Sequence, residues 1–343
     1  MYYITHYNRF SKRYTSQKVN KPRLYPYTPN LAEQDIVNLN TPALTESDKV
    51  YQTFHIPKAA GGYRTIEAPS EPLKTKQRAL LTLLKEKYQL LESPWAYAYI
   101  KNTCALDALK EHQKNESKYF LKLDIKDFFP SCTSEIVFDS LNKIFPICSW
   151  TTDKQELLKQ TIKDYCFLNN RLPQGAVTSP FLSNLTLLPY DVAIHDLLKS
   201  AETFKKQKYV YTRYADDLLI SAKTPFNWRE ITKLVKEILN PSFTIKDDKT
   251  RYGTSTGRNW NLGCMLNKDN NITVGHEVKE AWKRTMMNII IRHSNGDTIT
   301  KEEKQQIQGK LAYFKMIEPA YFEYLNRHYH EKYRVNFENI LKR

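Results

Sequence analysis

The chain has 343 residues, 41% of them hydrophobic, enough to bury a core and carry two or three lobes. Lysine and arginine (52) outnumber aspartate and glutamate (37), a formal charge of +15; this favours a polyanionic partner through counterion release, although a basic surface kept for solubility carries the same surplus. No stretch approaches the ~18 apolar residues of a membrane helix, Met1–Tyr7 lacks the apolar core of a signal peptide, and Cys104, Cys132, Cys148, Cys166 and Cys264 show neither zinc nor disulfide spacing, so the expectation is a cytoplasmic protein with reduced thiols and no membrane partner.

Residues 1–30, rich in Tyr, Lys, Arg and Pro, read as a poorly ordered or RNA-contacting arm. Leu80–Leu91 carries apolar residues at helical spacing and predicts a short amphipathic helix. Phe120–Ile125 alternates as Phe-Leu-Lys-Leu-Asp-Ile, the period of a strand. Helices are expected over Gln155–Leu168 and over Ala176–Leu198, the second entered through Pro180. Tyr209–Ala222 predicts two short strands about a turn. Gly275 closes a third strand region, and His276–Arg292 and Lys301–Tyr333 then predict basic helices. Helix and loop, then mixed strand and helix, then helix alone is the order of an α+β catalytic lobe with helical attachments. Neither common glycine-rich phosphate loop is present. The 23 tyrosines offer stacking platforms for unpaired bases as well as ordinary packing.

Tyr214-Ala-Asp-Asp217 sits between two apolar arms. Strand cores disfavour aspartate, and like charges side by side repel. Either the pair is a solvated turn or a divalent cation neutralises it; magnesium, which prefers hard oxygen ligands and leaves positions open for phosphates, is the natural candidate. A second strand ends in Asp124, and two such strand ends can meet on neighbouring strands of one sheet. Three carboxylates would then hold two metals ~4 Å apart, the clamp for in-line nucleotidyl transfer. Leu172-Pro-Gln-Gly-Ala-Val-Thr-Ser-Pro180 is a turn that opens a helix and points backbone N–H groups at whatever lies above it.

In this order the three segments resemble the core motifs of reverse transcriptases: Asp124–Phe129 the first, Pro173-Gln174-Gly175 the second, Tyr214–Asp217 the third. Phe243–Arg251 resembles the fourth, with Lys249 at its lysine. The resemblance implies an RNA-directed DNA polymerase with a right-hand fold: an N-terminal arm and fingers over 1–118, a palm with an antiparallel sheet over 119–273, and a helical thumb over 274–343. It implies that Asp124, Asp216 and Asp217, with the Ile125 carbonyl, hold two Mg2+ ions, Mn2+ being the alternative. Lys249 would protonate the pyrophosphate. Phe129 would exclude the ribose 2′-hydroxyl, and Gln174, Gly175 and Tyr214 would line the incoming nucleotide. Lys58-Ala-Ala-Gly-Gly-Tyr-Arg64 resembles the fingers hairpin that grips the triphosphate, with Arg64 as the clamp, apt because its planar fork meets phosphate oxygens in pairs.

Leu123–Ser131, Leu172–Gly175 and Tyr211–Asp217 resemble in particular the bacterial retron type. That kinship implies DNA synthesis from dNTPs on a structured noncoding RNA that serves as template and primer, giving a cDNA, in antiphage defence with an effector protein. Other defence-associated or diversity-generating reverse transcriptases, an RNA-directed RNA polymerase or untemplated nucleotidyl transferase, and an inactive RNA-binding scaffold are the alternatives. Lys279, Lys283, Arg284, Arg292 and Lys310 would turn a cationic thumb face toward the nucleic acid, or simply form a solvated helix face. Asp107-Ala108 with His112 stands near the place of the retron Asn-Ala-x-x-His element, and Asn261-Leu262-Gly263 at its Val-Thr-Gly; both elements are tied by the resemblance to RNA recognition.

Overall fold

The computed structural model describes residues 2–8, 13–19, 32–58, 61–87, 93–144, 150–205, 207–256, 260 and 263–342. Residues 20–30, 88–91 and the Asn261-Leu262 pair, on which parts of the expectations above fall, lie outside them.

The centre is a four-stranded antiparallel sheet, order β6-β7-β5-β8, made of β5 (Tyr119–Asp124), β6 (Tyr209–Tyr214), β7 (Asp217–Ala222) and β8 (Arg251–Thr254). Alternation assigns its faces. Leu121, Leu123 and Ile125 join Leu218 and Ile220 in a large core. This core is completed by α5 (Ser134–Ile144), α6 (Thr152–Cys166), α7 (Ser179–Lys205) and α8 (Trp228–Leu239). Phe120 and Leu219 face the other way, into a second core with Leu109, Trp260 and the C-terminal helices; the Phe120 and Trp260 rings stack at 5.3 Å. Lys122 and Asp124 share that second face by strand period, toward its open end.

Before the sheet come α1 (Glu33–Leu39), the hairpin β3 (Tyr51–Pro57) and β4 (Tyr63–Pro69), α2 (Glu71–Lys87) and α3 (Ala105–Lys114). The second helix begins nine residues ahead of the expected start. Its first turn is capped by Ser70, whose Oγ accepts from Leu73 N–H at 3.3 Å, and its polar Lys74–Arg78 stretch hides the apolar stripe that Leu73, Leu80 and Leu84 complete. The arm expected over 1–30 holds an antiparallel pair, β1 (Tyr2–Asn8) and β2 (Arg13–Val19), with Tyr2 opposite Val19; aromatic and β-branched residues at 2–7 are the signal for it.

The sheet is followed by a short pair, β9 (Met265–Leu266) and β10 (Ile272–Thr273), and then by helices. The first is α9 (His276–Ser294). Lys301–Tyr333 is two helices rather than one, α10 (Lys301–Ile317) and α11 (Pro319–Tyr333), because Pro319 can begin a helix but not continue one. The last is α12 (Phe337–Lys342). These pack on one another around Phe314, Phe322, Leu325 and Phe337. No described helix is long and apolar enough to cross a membrane.

Candidate active site

The expected carboxylate strand ends meet. Asp124 closes β5 and pairs with Asp217, the first residue of β7, so both side chains leave the same face. Asp216 lies in the two-residue turn between β6 and β7, and its carbonyl accepts from Ile125 N–H at 3.0 Å. Ala215, beside it, takes φ +56°, the left-handed conformation such a turn needs.

Lysines answer these charges. Lys122 Nζ is 2.6 Å from Asp217 Oδ2. Asp124, only 8% exposed, has Lys249 Nζ 3.4 Å from Oδ2 and Lys246 Nζ 3.2 Å from Oδ1; the second contact lacks hydrogen-bond geometry, which leaves Oδ1 buried with no hydrogen bond. Burial, then the charges of Asp217 and Asp124, raise the Asp216 carboxyl above its ordinary range. Burial works to lower the Lys246 ammonium, but its ion pair with the Asp124 carboxylate outweighs it and the group is raised.

Among the described residues no three His, Cys, Asp or Glu side chains are arranged as a metal-binding cluster; the carboxylates of Asp124 and Asp217 are turned onto lysines. The donors nevertheless suit a divalent cation. They are hard oxygens, one is buried without a hydrogen bond, and one belongs to a carboxyl whose charge is poorly compensated.

A fully buried network fixes the turn from behind. Arg213, on the opposite face of β6 from Tyr214, donates from Nε to Asp191 Oδ1 (2.8 Å) and from Nη2 to Oδ2 (2.7 Å). Its Nη1 donates to Asn184 Oδ1 at 2.9 Å and to the Ala215 carbonyl at 3.1 Å. Tyr211 and Ser93 hydroxyls complete Asp191, each at 2.7 Å. Sequence reading missed Lys122, Lys246, Arg213 and Asp191. The period of two, which puts Lys122 on the face of Asp124, was the available signal for the first; the partners on α7 leave no local trace.

Asp127 takes φ +44° and starts a single helical turn, α4 (Phe128–Ser131). Phe128 is buried in the core, while Phe129 is partly exposed, its ring 5.5 Å from that of Phe128. Gly175 has φ +133°, and a Cβ there would lie 2.8 Å from the Glu67 carbonyl oxygen, so only glycine fits. The neighbouring Gln174 carbonyl accepts from Glu67 N–H at 2.7 Å, and the Glu67 carboxylate grips Arg171 through two bonds, 2.8 and 2.5 Å. The β3–β4 hairpin is thereby latched to the Pro-Gln-Gly turn, with exposed Lys58 and Arg64 toward its tip.

The thumb cations are dispersed. Lys279, Lys283, Arg284 and Arg292 lie on α9 and Lys310 on α10. Arg292 bonds Glu303 at 3.1 Å and tightens the α9–α10 turn; Lys279 pairs with Glu318 at 2.9 Å and Lys283 with Glu280 at 3.7 Å. Lys283, Arg284 and Lys310 are exposed. His112 is completely buried, with Nδ1 2.5 Å from Ser221 Oγ and Nε2 2.8 Å from Thr212 Oγ1. Its ring braces β6 and β7 and does not reach the surface.

A family model described as reverse transcriptase (RNA-dependent DNA polymerase) matches residues 56–288. The chain is 28% identical over 297 residues to the retron Ec83 reverse transcriptase of Escherichia coli, covering 82% of this chain and 87% of that protein. It is 29% identical over 289 residues to the retron Ec73 reverse transcriptase of Escherichia coli, with 81% and 87% covered. It is also 29% identical over 288 residues to the retron Mx65 reverse transcriptase of Myxococcus xanthus, with 81% and 64% covered.

Proposed function

The chain belongs to the reverse transcriptase family of RNA-directed DNA polymerases, and on that premise we propose that it copies a structured noncoding RNA into DNA by two-metal nucleotidyl transfer at Asp124, Asp216 and Asp217. The observation that carries this reading is the pairing of Asp124 with Asp217 across β5 and β7, with the Asp216 carbonyl bonded to Ile125 N–H. Asp124 and Asp217 are thereby side by side at one end of the sheet, with Asp216 in the turn next to them. The lobes are taken as fingers to 118, palm to 273 and thumb from 274.

The three aspartates and the Ile125 carbonyl would hold two magnesium ions, or manganese. When bound, these ions supply a Lewis acid that lowers the pKa of the primer hydroxyl and offsets charge growing on the phosphorus. The chain's own groups do the rest. Arg64 and Lys58 grip the triphosphate from the hairpin tip. Gln174 and Gly175, latched to Glu67, form one wall of the nucleotide pocket, and Tyr214 completes its lining. Phe129 fills the space a 2′-hydroxyl would need. Lys249, beside Asp124, delivers a proton to the departing pyrophosphate, and the thumb cations bear on the template–primer duplex.

The similarity to retron enzymes supports a cognate noncoding RNA that also supplies the primer, and a role in antiphage defence beside an effector protein. Free thiols at the described cysteines accord with a reducing cytoplasm.

One experiment addresses the whole reading: purify the protein from its own locus and sequence the nucleic acid bound to it, alongside the Asp216→Asn, Asp217→Asn double variant. A discrete RNA linked to complementary DNA, absent from the variant, is the expected result. RNA without DNA, together with no magnesium-dependent extension of an added primer, would leave an RNA-binding scaffold.

A further inference from the structure

Tyr99 combines three properties that ordinary packing does not require together. It is a large aromatic residue 48% exposed. Its backbone stands at φ +64°, where a bulky side chain is strained. And its ring faces Phe129, centroids 6.1 Å apart and planes inclined by 58°.

The strain is imposed by a segment held on both sides. Arg213 N–H donates to Trp95 O at 2.7 Å, and Tyr97 N–H to Arg213 O at 2.9 Å, docking residues 95–97 parallel to β6. Asn184 Nδ2 donates to Ala98 O at 2.8 Å, and the Thr103 hydroxyl donates to Tyr97 O at 2.9 Å and Ile100 O at 3.0 Å. Ala96, Ala98 and Ile100 point inward and are buried. Tyr99, between the last two, is pushed outward over the catalytic turn. Desolvation, then the neighbouring Asp216 carboxylate, push its phenol up to about 12.

Phe129 therefore has two aromatic neighbours. Phe128 is anchored in the core, 5.5 Å away between centroids; Tyr99 is anchored through its backbone. A side chain with one such partner only would share its time among rotamers, and a gate works only while it stays in place.

We propose that Tyr99 is a positioning residue for sugar selection: its ring braces Phe129 in the orientation that excludes a ribose 2′-hydroxyl. This rests on the reading of Phe129 as the sugar gate. An inclined aromatic pair holds its members with an energy that converts to about two- to tenfold in rotamer population, which sets the size of the expected effect.

The test uses the full chain on an annealed RNA template and DNA primer, measuring kcat/KM for one dNTP and its matching rNTP. Phe129→Ala is expected to raise the rNTP/dNTP ratio by more than tenfold. Tyr99→Gly, which removes the ring and takes φ +64° without strain, is expected to raise it about two- to tenfold while folding normally. Tyr99→Phe keeps the ring and is expected to match the parent. The double variant Tyr99→Gly, Phe129→Ala is expected to be no less selective than Phe129→Ala alone, because the brace acts only through the gate. If Phe129→Ala changes the ratio and Tyr99→Gly does not, or lowers both rates alike, the brace is wrong and the gate stands. If Tyr99→Phe shifts the ratio as much as Tyr99→Gly, the hydroxyl rather than the ring matters, and the brace is again wrong. If Phe129→Ala itself leaves the ratio unchanged, the gate falls and takes the brace with it.

Discussion

Lys122 Nζ stands 2.6 Å from Asp217 Oδ2, on the same face of the sheet as Asp124 and two residues before it. The ammonium neutralises a carboxylate that would otherwise meet Asp216 and Asp124 uncompensated. Its place is the alternation of β5, and on the proposed reading its charge would stand in for that of a bound metal.

Lys122→Met should therefore make the fold lean on divalent ions. In a chelator the variant is expected to lose about 1–3 kcal/mol, the cost of leaving a partly buried carboxylate unpaired. Added magnesium should then raise its Tm by more than it raises the parent's. Calorimetry with EDTA and with magnesium chloride measures both, and equal magnesium shifts for the two proteins would refute the exchange of lysine for metal.

Asp216→Asn is expected to separate stability from activity. Burial and two like charges raise the Asp216 carboxyl, so its ionised form is a cost to the metal-free fold. Removing the charge should hold or raise the Tm in EDTA, by about 1 kcal/mol at most, while nucleotide incorporation falls at least about a hundredfold. A variant with lowered Tm and preserved incorporation would show that the residue serves folding and not chemistry.

Breaking the Arg213–Asp191 pair should be costly from either side. Both side chains are buried, at 0% and 1% exposure, and removing one partner strands a charge with no water to take over its bonds. Asp191→Asn is expected to cost about 3–5 kcal/mol in urea unfolding. Arg213→Lys, which cannot reproduce the fork that reaches Asp191, Asn184 and Ala215 together, is expected to cost about 2 kcal/mol or more. A near-neutral result for Arg213→Lys would mean that charge alone, without geometry, holds the turn.

His112 ties stability to pH. Burial pushes its imidazolium down to about 3, so the folded chain keeps the ring neutral while the unfolded chain protonates it near ~6.5. The unfolded state binds the extra proton between those values, so stability rises with pH across that window and falls as pH drops below ~6.5, by up to about 1.4 kcal/mol per pH unit for one proton. Unfolding free energies measured from pH 7 to 5 should show this slope, and His112→Asn should lessen it by one proton's worth. An unchanged slope would place the titrating group elsewhere.

The sequence made the chemistry more legible than its support. Asp124 at the end of an alternating strand and Asp216-Asp217 between two apolar arms were readable because strand period and turn composition are local. The helices over Thr152–Cys166 and Ser179–Lys205 also lay close to their expected places. Arg213 was not legible as a strut, because its partners Asp191 and Asn184 lie more than twenty residues away on another element. His112, one place late for the element it stands near, bonds inside the protein to hydroxyls of two strands, partners that no local pattern announces. The helical reading of Lys301–Tyr333 holds, with a proline in plain view dividing it in two.

The latch at Glu67 has a mechanical consequence. Its backbone N–H is fixed to Gln174 and its carboxylate to Arg171, while Arg64 lies three residues further toward the free end of the hairpin. Swinging of that end pivots at a fulcrum clamped to the Pro-Gln-Gly turn. The exposed tip that carries Arg64 and Lys58 can thus rise and fall through a short radius while the Pro-Gln-Gly turn stays still. On the proposed function, grasping a nucleotide and judging its shape would fall to the two sides of one hinge.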